Sequence, residues 1–328
     1  MDLETFIAEW ENDSPTLLVH TSGSTGKPKP MLVEKRRMEA SARITCGFLG
    51  LKAGDTALLC MSLDYIAGKM MVVRALTCGL QLIAVPPSSH PLKSTQKEPS
   101  PLCTFAAMVP MQVWNSLQVQ EERERLRQIR HLIIGGGAID EQMEKELRDF
   151  PHAVWSTYGM TETLSHIALR RLNGPEASLW YTPFEGVTLS LTADGCLVID
   201  APAVHDGPLV TNDIAELRSD GSFRILGRKD NVVCSGGVKI QMEEVEQLLR
   251  PHMPVGFMIT RRPDEMLGQE VVMLAEEGCE PSELQTVCQR VLPKYWRPRA
   301  ILTVPRLPLT ETGKPARKEA ERIASEQK

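Results

Sequence analysis

The segment His20–Pro30, HTSGSTGKPKP, follows the short apolar run Leu17–Leu18–Val19, and its reading decides how the rest of the chain is understood. It gathers four hydroxyl side chains, Thr21, Ser22, Ser24 and Thr25, with the ammonium groups of Lys27 and Lys29 and two glycines, Gly23 and Gly26. Small donors and cations at this density suit a polyphosphate. The Walker phosphate loop nevertheless fails, because it needs Gly-x-x-x-x-Gly-Lys followed by Ser or Thr. Here Gly23 and Gly26 stand too close together and Lys27 is followed by Pro28. Proline fixes φ, donates no N–H and biases the residue before it away from helix. The chain is therefore expected to leave the loop extended, not to enter a phosphate-binding helix. Taken alone, the loop leaves two readings open, a polar surface turn and a segment that closes over phosphates.

Outward from the loop, short apolar runs alternate with longer amphipathic ones up to about Leu172. Thr56–Cys60, Leu80–Val85, Thr104–Val109, His131–Gly135 and His152–Ser156 read as buried strands, and Tyr65–Thr77 and Asp140–Phe150 as helices, with Asp140 an N-cap. Alternation of this kind implies a largely parallel sheet covered by helices. Beyond Leu172, Val187–Asp200 and Asp213–Gly227 each hold two strand-like runs about an Asp-Gly pair, a hairpin signal. After Asp230 come a helix over Gln241–Arg250, strands near Phe257 and Val271, a helix over Pro281–Leu292 and a charged C-terminal helix. The fold class is thus α/β: a large N-terminal domain, residues 1–229, with a mostly parallel sheet and a β-rich segment, then a small mobile α+β domain, residues 230–328. Pro86–Pro101 is expected to be a flexible loop, and Glu121–Arg130 a solvated helix face.

Composition bounds the function. A formal charge of −5 over 328 residues argues against a nucleic-acid binder. The eight cysteines contain no Cys-x-x-Cys pair, which removes the usual zinc and thioredoxin-like patterns and fits free thiols in a reducing compartment. The acidic N-terminus lacks a signal peptide, and no apolar run approaches the ~18 residues of a membrane span. These features lead us to expect a cytoplasmic protein.

Four more stretches follow in order: STYGMTET (156–163), TNDIAEL (211–217), GRKDNVVCSGGVKIQMEEVE (227–246) and LPLTETGKPARK (307–318). With the opening loop, they resemble the motifs of the adenylate-forming superfamily of acyl-CoA and aryl-CoA synthetases, luciferases and adenylation domains. Within it, Thr104–Leu117 and Tyr158–Ser178 are most similar to the o-succinylbenzoate–CoA ligases of menaquinone biosynthesis. The resemblance implies an AMP-forming ligase that uses ATP, Mg²⁺ and coenzyme A to turn a small carboxylic acid into an acyl-AMP and then an acyl-CoA. Another acyl- or aryl-CoA ligase, or a degenerate nucleotide-binding protein without ligase activity, stays open beside that reading.

The resemblance also implies roles. Thr21, Ser22, Gly23, Ser24, Thr25, Gly26 and Lys27 would contact the phosphates. Gly136, Gly137, Tyr158, Gly159 and Thr161 would form the adenine site, where glycine lets a flat ring approach the backbone. Glu162 would hold Mg²⁺, an ion satisfied by one or two carboxylates beside phosphate oxygens. Asp213 would accept from the ribose hydroxyls, with Arg228 close by. Lys314 would be the catalytic lysine, and Gly236 and Gly237 would line the passage for the pantetheine arm. Asp230 would be the hinge. His166 is either part of the acyl pocket wall or a packed histidine; at i, i+4 from Glu162 it mimics a metal pair without a third ligand. Asn212 stands where the family usually has glycine, and a left-handed backbone would explain why Asn, the least costly substitute, is found there. Only 19 residues precede His20, whereas most relatives carry a long N-terminal region over the sheet. Apolar surface left bare there would make the chain a homodimer.

Overall fold

The computed structural model describes residues 1–20, 30–95, 103–310 and 314–327. Helix α1 (Leu3–Glu11) begins where the Asp2 carboxylate accepts the Thr5 N–H at 2.8 Å, and it drives Phe6 into the core. Two antiparallel strands, β1 (Thr16–His20) and β2 (Pro30–Glu34), flank the quoted loop and pair His20 with Pro30. The chain does leave the loop as a strand, as the prolines require.

Helix α2 (Lys35–Leu49), strand β3 (Thr56–Leu59), helix α3 (Ile66–Cys78) and strand β4 (Gln81–Ala84) follow. Both helices stop at left-handed glycines, Gly50 and Gly79, whose N–H groups bond back to the last turn. Next come β5 (Phe105–Met108), α4 (Pro110–Leu117), α5 (Gln120–Gln128), β6 (His131–Ile134), α6 (Glu141–Leu147) and β7 (Ala153–Gly159). Asp140 caps α6, accepting the Met143 N–H at 2.8 Å. Strands β8 (His166–Arg171) and β9 (Thr182–Pro183) complete a seven-stranded sheet of order β4-β3-β5-β6-β7-β8-β9. The first five are parallel and the last two antiparallel. Helices on both faces explain why β5 is buried along its whole length and reads as an unbroken apolar run.

Two details depart from expectation. The Pro86–Pro101 segment contains a single 3₁₀ turn, Pro91–Thr95, which buries Leu92 completely; residues 96–102 lie outside the described residues. On α5, Glu122 is not solvated but buried, accepting from Ser116 Oγ and facing His90 Nδ1, each at 3.0 Å.

The β-rich segment is a four-stranded antiparallel sheet of β10 (Thr188–Leu191), β11 (Cys196–Asp200), β12 (Leu209–Leu217) and β13 (Phe223–Arg228). Its two hairpins turn at Asp194–Gly195 and Asp220–Gly221, both glycines having positive φ. After Asp230 a second unit follows: β14 (Val232–Ser235), β15 (Val238–Gln241), α7 (Met242–Leu249), β16 (Phe257–Asp264), β17 (Gly268–Glu276), α8 (Pro281–Val291), β18 (Ala300–Val304) and α9 (Arg317–Glu326). Its five strands form one sheet with β18 parallel to β17. Among the described residues, no buried apolar cluster draws on both sides of Asp230. Exposed large apolar side chains are spread over many elements, the clearest cross-strand pair being Leu18 and Leu32 on β1 and β2. No helix among the described residues is long and apolar enough to cross a membrane.

Candidate active site

The end of β7 and the adjoining strands β12 and β13 converge on one carboxylate. Tyr158 donates its phenolic hydrogen to Asp213 Oδ2 at 2.6 Å, and Arg228 Nη1 reaches Asp213 Oδ1 at 3.1 Å. The Tyr158 ring stands edge-on to Phe223, centroids 5.1 Å apart, with Tyr181, stacked on Phe223, at 6.0 Å. Burial, followed by the Asp213 charge and the hydrogen bond to it, pushes the Tyr158 hydroxyl far above the usual phenol range. Tyr158 is therefore a permanent donor. An ionised carboxylate has about four lone-pair positions, so Asp213 keeps acceptor capacity for two further hydroxyls.

Gly159 follows Tyr158, and a Cβ there would lie 2.2 Å from the Ser165 carbonyl oxygen and 2.4 Å from His166 Cα. That close approach brings back a tight turn in which the Leu164 N–H bonds the Thr161 carbonyl at 2.9 Å. Thr163 Oγ1 locks the turn, accepting from Met160 N–H at 3.0 Å and lying 2.7 Å from the Ser165 carbonyl. Leu164 is the one non-glycine residue with positive φ among the described residues, at 64°, and it is buried. A left-handed leucine is costly, and such conformations concentrate at functional sites. Its effect is to set Glu162 in the turn, half-buried, with no hydrogen bond or ion pair to the described residues. A hard carboxylate left available in this way fits Mg²⁺. No cluster of three His, Cys, Asp or Glu side chains suited to a metal occurs among the described residues, so Glu162 and His166 do not form a zinc-like set.

Gly136 (φ 81°) and Gly137 follow β6, and a Cβ at either would make only ordinary contact with Val109 or Pro110, so it is the positive φ that calls for glycine at 136. The phosphate-loop residues Thr21, Ser22, Gly23, Ser24, Thr25, Gly26 and Lys27 lie outside the described residues. What seats their flanking strands is described: Leu17, Val19 and Val33 are buried, and the buried Lys69 of α3 donates to the Leu18 carbonyl at 3.0 Å.

Lys314, on the second unit, feels the charges of the Asp213–Arg228 cluster. Burial, and then the Arg228 charge, pull its ammonium below the ordinary lysine range, while Asp213 pulls the other way. Lys314 thus lies within electrostatic range of both residues. Asp230 sits in a 3₁₀ turn between the units, and its carboxylate accepts from Arg228 Nη2 at 3.0 Å and Asn212 Nδ2 at 3.1 Å. Asn212 has no positive φ, so the left-handed explanation for its departure from glycine is wrong. Its amide instead touches Asp230. Gly236 and Gly237 both have positive φ and form the two-residue turn between β14 and β15. A Cβ on Gly237 would meet nothing within 4 Å, so in this arrangement the turn, and not clearance for a ligand, requires glycine.

His166 is packed. Its Nε2 lies 3.1 Å from Thr45 Oγ1 and its Nδ1 3.1 Å from Ser165 Oγ; burial, then Arg74, hold it well below the usual histidine range and hence neutral. Arg74 itself is the group that sequence reading missed. It is 2% exposed, donates to Ser165 Oγ at 2.7 Å, and its Nε has no hydrogen-bond partner. No ion pair involves it among the described residues, and burial pulls its guanidinium down to about 10. The signal was available: a lone arginine in the apolar stretch MMVVRALTC, where a charge needs a reason.

A family model described as AMP-binding enzyme matches residues 4–191, more than half of the chain. The chain belongs to the AMP-binding enzyme family. The AMP-binding enzyme is 32% identical to a solved acyl-CoA synthetase (AMP-forming)/AMP-acid ligase II-like protein of Dyadobacter fermentans, covering 98% of this chain and 92% of that one, with a TM-score of 0.65. A solved o-succinylbenzoate coenzyme A synthetase of Bacillus subtilis, in complex with ATP and magnesium, shares the fold at a TM-score of 0.77 and 23% identity, over 92% of this chain and 69% of that one. In sequence, 2-succinylbenzoate–CoA ligase of Bacillus mycoides is 24% identical over 98% of this chain and 73% of its own length.

Proposed function

We propose that this AMP-binding enzyme is an ATP-dependent acid–CoA ligase and that its acid is 2-succinylbenzoate. The observation that carries the ligase reading is the hydrogen-bonded cluster of Tyr158, Asp213 and Arg228, with Lys314, from the unit after Asp230, within electrostatic range of it. In the first step the substrate carboxylate attacks the α-phosphorus of ATP and pyrophosphate leaves, giving the mixed acyl–phosphate anhydride. In the second the thiol of coenzyme A attacks the acyl carbon and AMP leaves.

Each side chain has a task. Asp213, fixed by Tyr158 and Arg228, accepts from the ribose hydroxyls, an ionised acceptor being roughly twice as strong as a neutral one. The Tyr158 ring, with Gly136, Gly137, Gly159 and the backbone at Thr161, borders the adenine. Lys314 pairs with the attacking carboxylate and the α-phosphate as negative charge concentrates between them. Glu162 would hold Mg²⁺, which supplies charge neutralisation on the departing phosphates. Residues 21–27 would contact those phosphates. The thiol enters past Gly236 and Gly237 after rotation about Asp230. The eight free thiols fit a reducing, cytoplasmic setting.

The choice of acid rests on Arg74 as well as on the relatives. 2-Succinylbenzoate has two carboxylates, of which one is activated and the other stays an anion. Arg74 is a buried cation without a counter-charge, one hydrogen bond from Ser165 in the turn that carries Glu162. A retained carboxylate is the partner such a group needs. Pyrophosphate exchange with a panel of acids tests the proposal. Exchange is expected with 2-succinylbenzoate and far less with acetate, benzoate or a long-chain fatty acid. Equal exchange with a fatty acid would remove the substrate assignment, and no exchange with any acid would remove the ligase reading.

A further inference from the structure

Arg317 opens α9 with a positive charge at the helix end that favours negative charge, and Ala316 supplies no side-chain cap. Its placement therefore has a cause other than helix stability. The guanidinium forks onto Glu246 of α7, Nη1 to Oε1 at 2.6 Å and Nη2 to Oε2 at 2.8 Å. Nη1 also donates to the Ile259 carbonyl at 2.7 Å, and the Ile259 N–H returns to Glu246 Oε1 at 2.8 Å. Four hydrogen bonds thus join α7, β16 and the first residue of α9 at one buried point.

Lys314 stands three residues before that point, and three residues span at most about 10 Å even when extended. The intervening chain is paired, not a free tether. Leu309 bridges Pro315, the Thr310 N–H bonds the Lys314 carbonyl at 2.7 Å, the Lys314 N–H bonds Thr310 Oγ1 at 3.1 Å, and the Ala316 N–H bonds the Pro308 carbonyl at 2.9 Å. The segment paired with it is held by Glu276, which accepts the Leu307 N–H at 3.1 Å. At its far end, α7 is registered to the nucleotide strand: Gln241, its N-cap, donates from Nε2 to the Arg228 carbonyl at 3.0 Å. A Cβ on Gly227 would lie 2.2 Å from that nitrogen, so glycine permits the contact. A continuous path of fixed groups runs from Arg228 through Gln241, α7, Glu246 and Arg317 to Lys314.

We propose that Glu246 and Arg317 are positioning residues for acid activation: their fork seats Lys314 within electrostatic range of Asp213 and Arg228. The inference rests on the reading of Lys314 given above. Arg317→Lys keeps the charge but cannot make the planar two-pronged contact, and Glu246→Gln keeps the shape and one acceptor. In either variant acyl-AMP formation is expected to fall by roughly 10²-fold, the scale of a 1 Å misplacement at a reacting centre. The KM for ATP should stay within about threefold, because the adenine and ribose contacts lie on the other unit, and thioester formation from preformed acyl-AMP should persist.

A double-mutant cycle separates positioning from bulk structure. If Arg317 acts only through Lys314, adding Arg317→Lys to Lys314→Ala costs acyl-AMP formation nothing further. A full additional loss in the double variant would overturn the proposal, as would equal losses in both half-reactions of Arg317→Lys. If Lys314→Ala alone left acyl-AMP formation intact, the catalytic reading of Lys314 would fall first and this inference with it. Should Arg317→Lys not fold, Glu246→Gln carries the same cycle.

Discussion

Tyr158 and Asp213 come from different sheets, and the 2.6 Å hydrogen bond between them joins the parallel sheet to the β-rich segment at the point where a nucleotide would sit. The bond is charge-assisted, and Asp213 is 8% exposed. Removing the hydroxyl strands a buried acceptor that water cannot easily reach. Tyr158→Phe is expected to lower stability by about 1.5–3 kcal/mol, the range for hydrogen bonds to charged groups. It keeps the ring, so the KM for ATP should change less than in Tyr158→Ala. Urea unfolding and ATP titration of the two variants measure both effects. A Tyr158→Phe protein as stable as the parent would show that the two sheets are held by other contacts.

Lys314 predicts a pH profile. Burial and the Arg228 charge lower its proton affinity, so it loses its charge at a pH below the ordinary 10.5. Acyl-AMP formation should therefore decline on the alkaline side below that value, whereas thioester formation from preformed acyl-AMP should lack this limb. The stability effect has the opposite sense. Between the lowered value and 10.5 the unfolded chain binds more protons than the folded one, so stability rises with pH across that window. Below the window the penalty for the buried charge is present in full. Lys314→Met should accordingly be no less stable than the parent at neutral pH while losing about 10²-fold or more in the first half-reaction. Stopped-flow pyrophosphate release across pH 7 to 10.5 checks the profile.

The elements legible in the sequence were those whose burial is uniform or whose turns are chemically forced. Parallel strands such as Phe105–Met108 are covered on both faces and read as apolar runs, and the hairpins announce themselves through Asp194–Gly195 and Asp220–Gly221. The ordered motifs placed Tyr158, Asp213, Arg228 and Lys314 on the chain but not in space. What stayed hidden depends on partners distant in sequence. Arg317 and Glu246 are 71 residues apart, and neither stretch hints that the other completes it. Backbone sign was equally opaque: Asn212, where positive φ was expected, lacks it, while the apolar Leu164 has it. Packing imposes Leu164's conformation, and a leucine side chain carries no trace of that constraint.

Arg74 predicts a separation of stability from specificity. An arginine 2% exposed, with an unpartnered Nε, costs folding free energy until an anion arrives. Arg74→Met should raise stability by about 1–4 kcal/mol, as when buried charges are replaced by packed apolar groups of similar volume. The same variant should lose roughly 10²-fold or more in kcat/KM for 2-succinylbenzoate, about 3–5 kcal/mol being the scale for a buried charge deprived of its partner. Benzoate, which retains no second carboxylate, should be turned over no worse than before. Equal losses for the two acids would make Arg74 a structural residue and leave the anion's partner elsewhere.

Asn212 and Asp230 predict how the two half-reactions are balanced. On the proposed mechanism one rigid arrangement cannot both hold Lys314 near Asp213 and Arg228 and open a route for a thiol, so the unit after Asp230 is expected to rotate, with the dihedral change taken up by a few linker residues. The Asn212 amide and the Arg228 guanidinium, 3.1 and 3.0 Å from the Asp230 carboxylate, both favour the arrangement seen here. Asn212→Gly removes one of these bonds without relieving any backbone strain, since Asn212 is not left-handed. At an exposed position the loss is about 0.5–1.5 kcal/mol, which shifts the balance of orientations by roughly two- to tenfold away from the acid-activating one. Asn212→Asp sets a second carboxylate beside Asp230 and should shift it further. Asp230→Pro also loses both of these bonds, but it locks the pivot, fixing φ near −65° and restricting Lys229, and the lock is expected to outweigh them; acyl-AMP formation should survive it and thioester formation should collapse. Single-turnover rates of each half-reaction, taken as a ratio of thioester to acyl-AMP formation, should therefore rise from the parent through Asn212→Gly to Asn212→Asp and fall in Asp230→Pro. A ratio unchanged across the series would place the pivot at other residues, with the Asn212–Asp230 contact a passive feature of the surface.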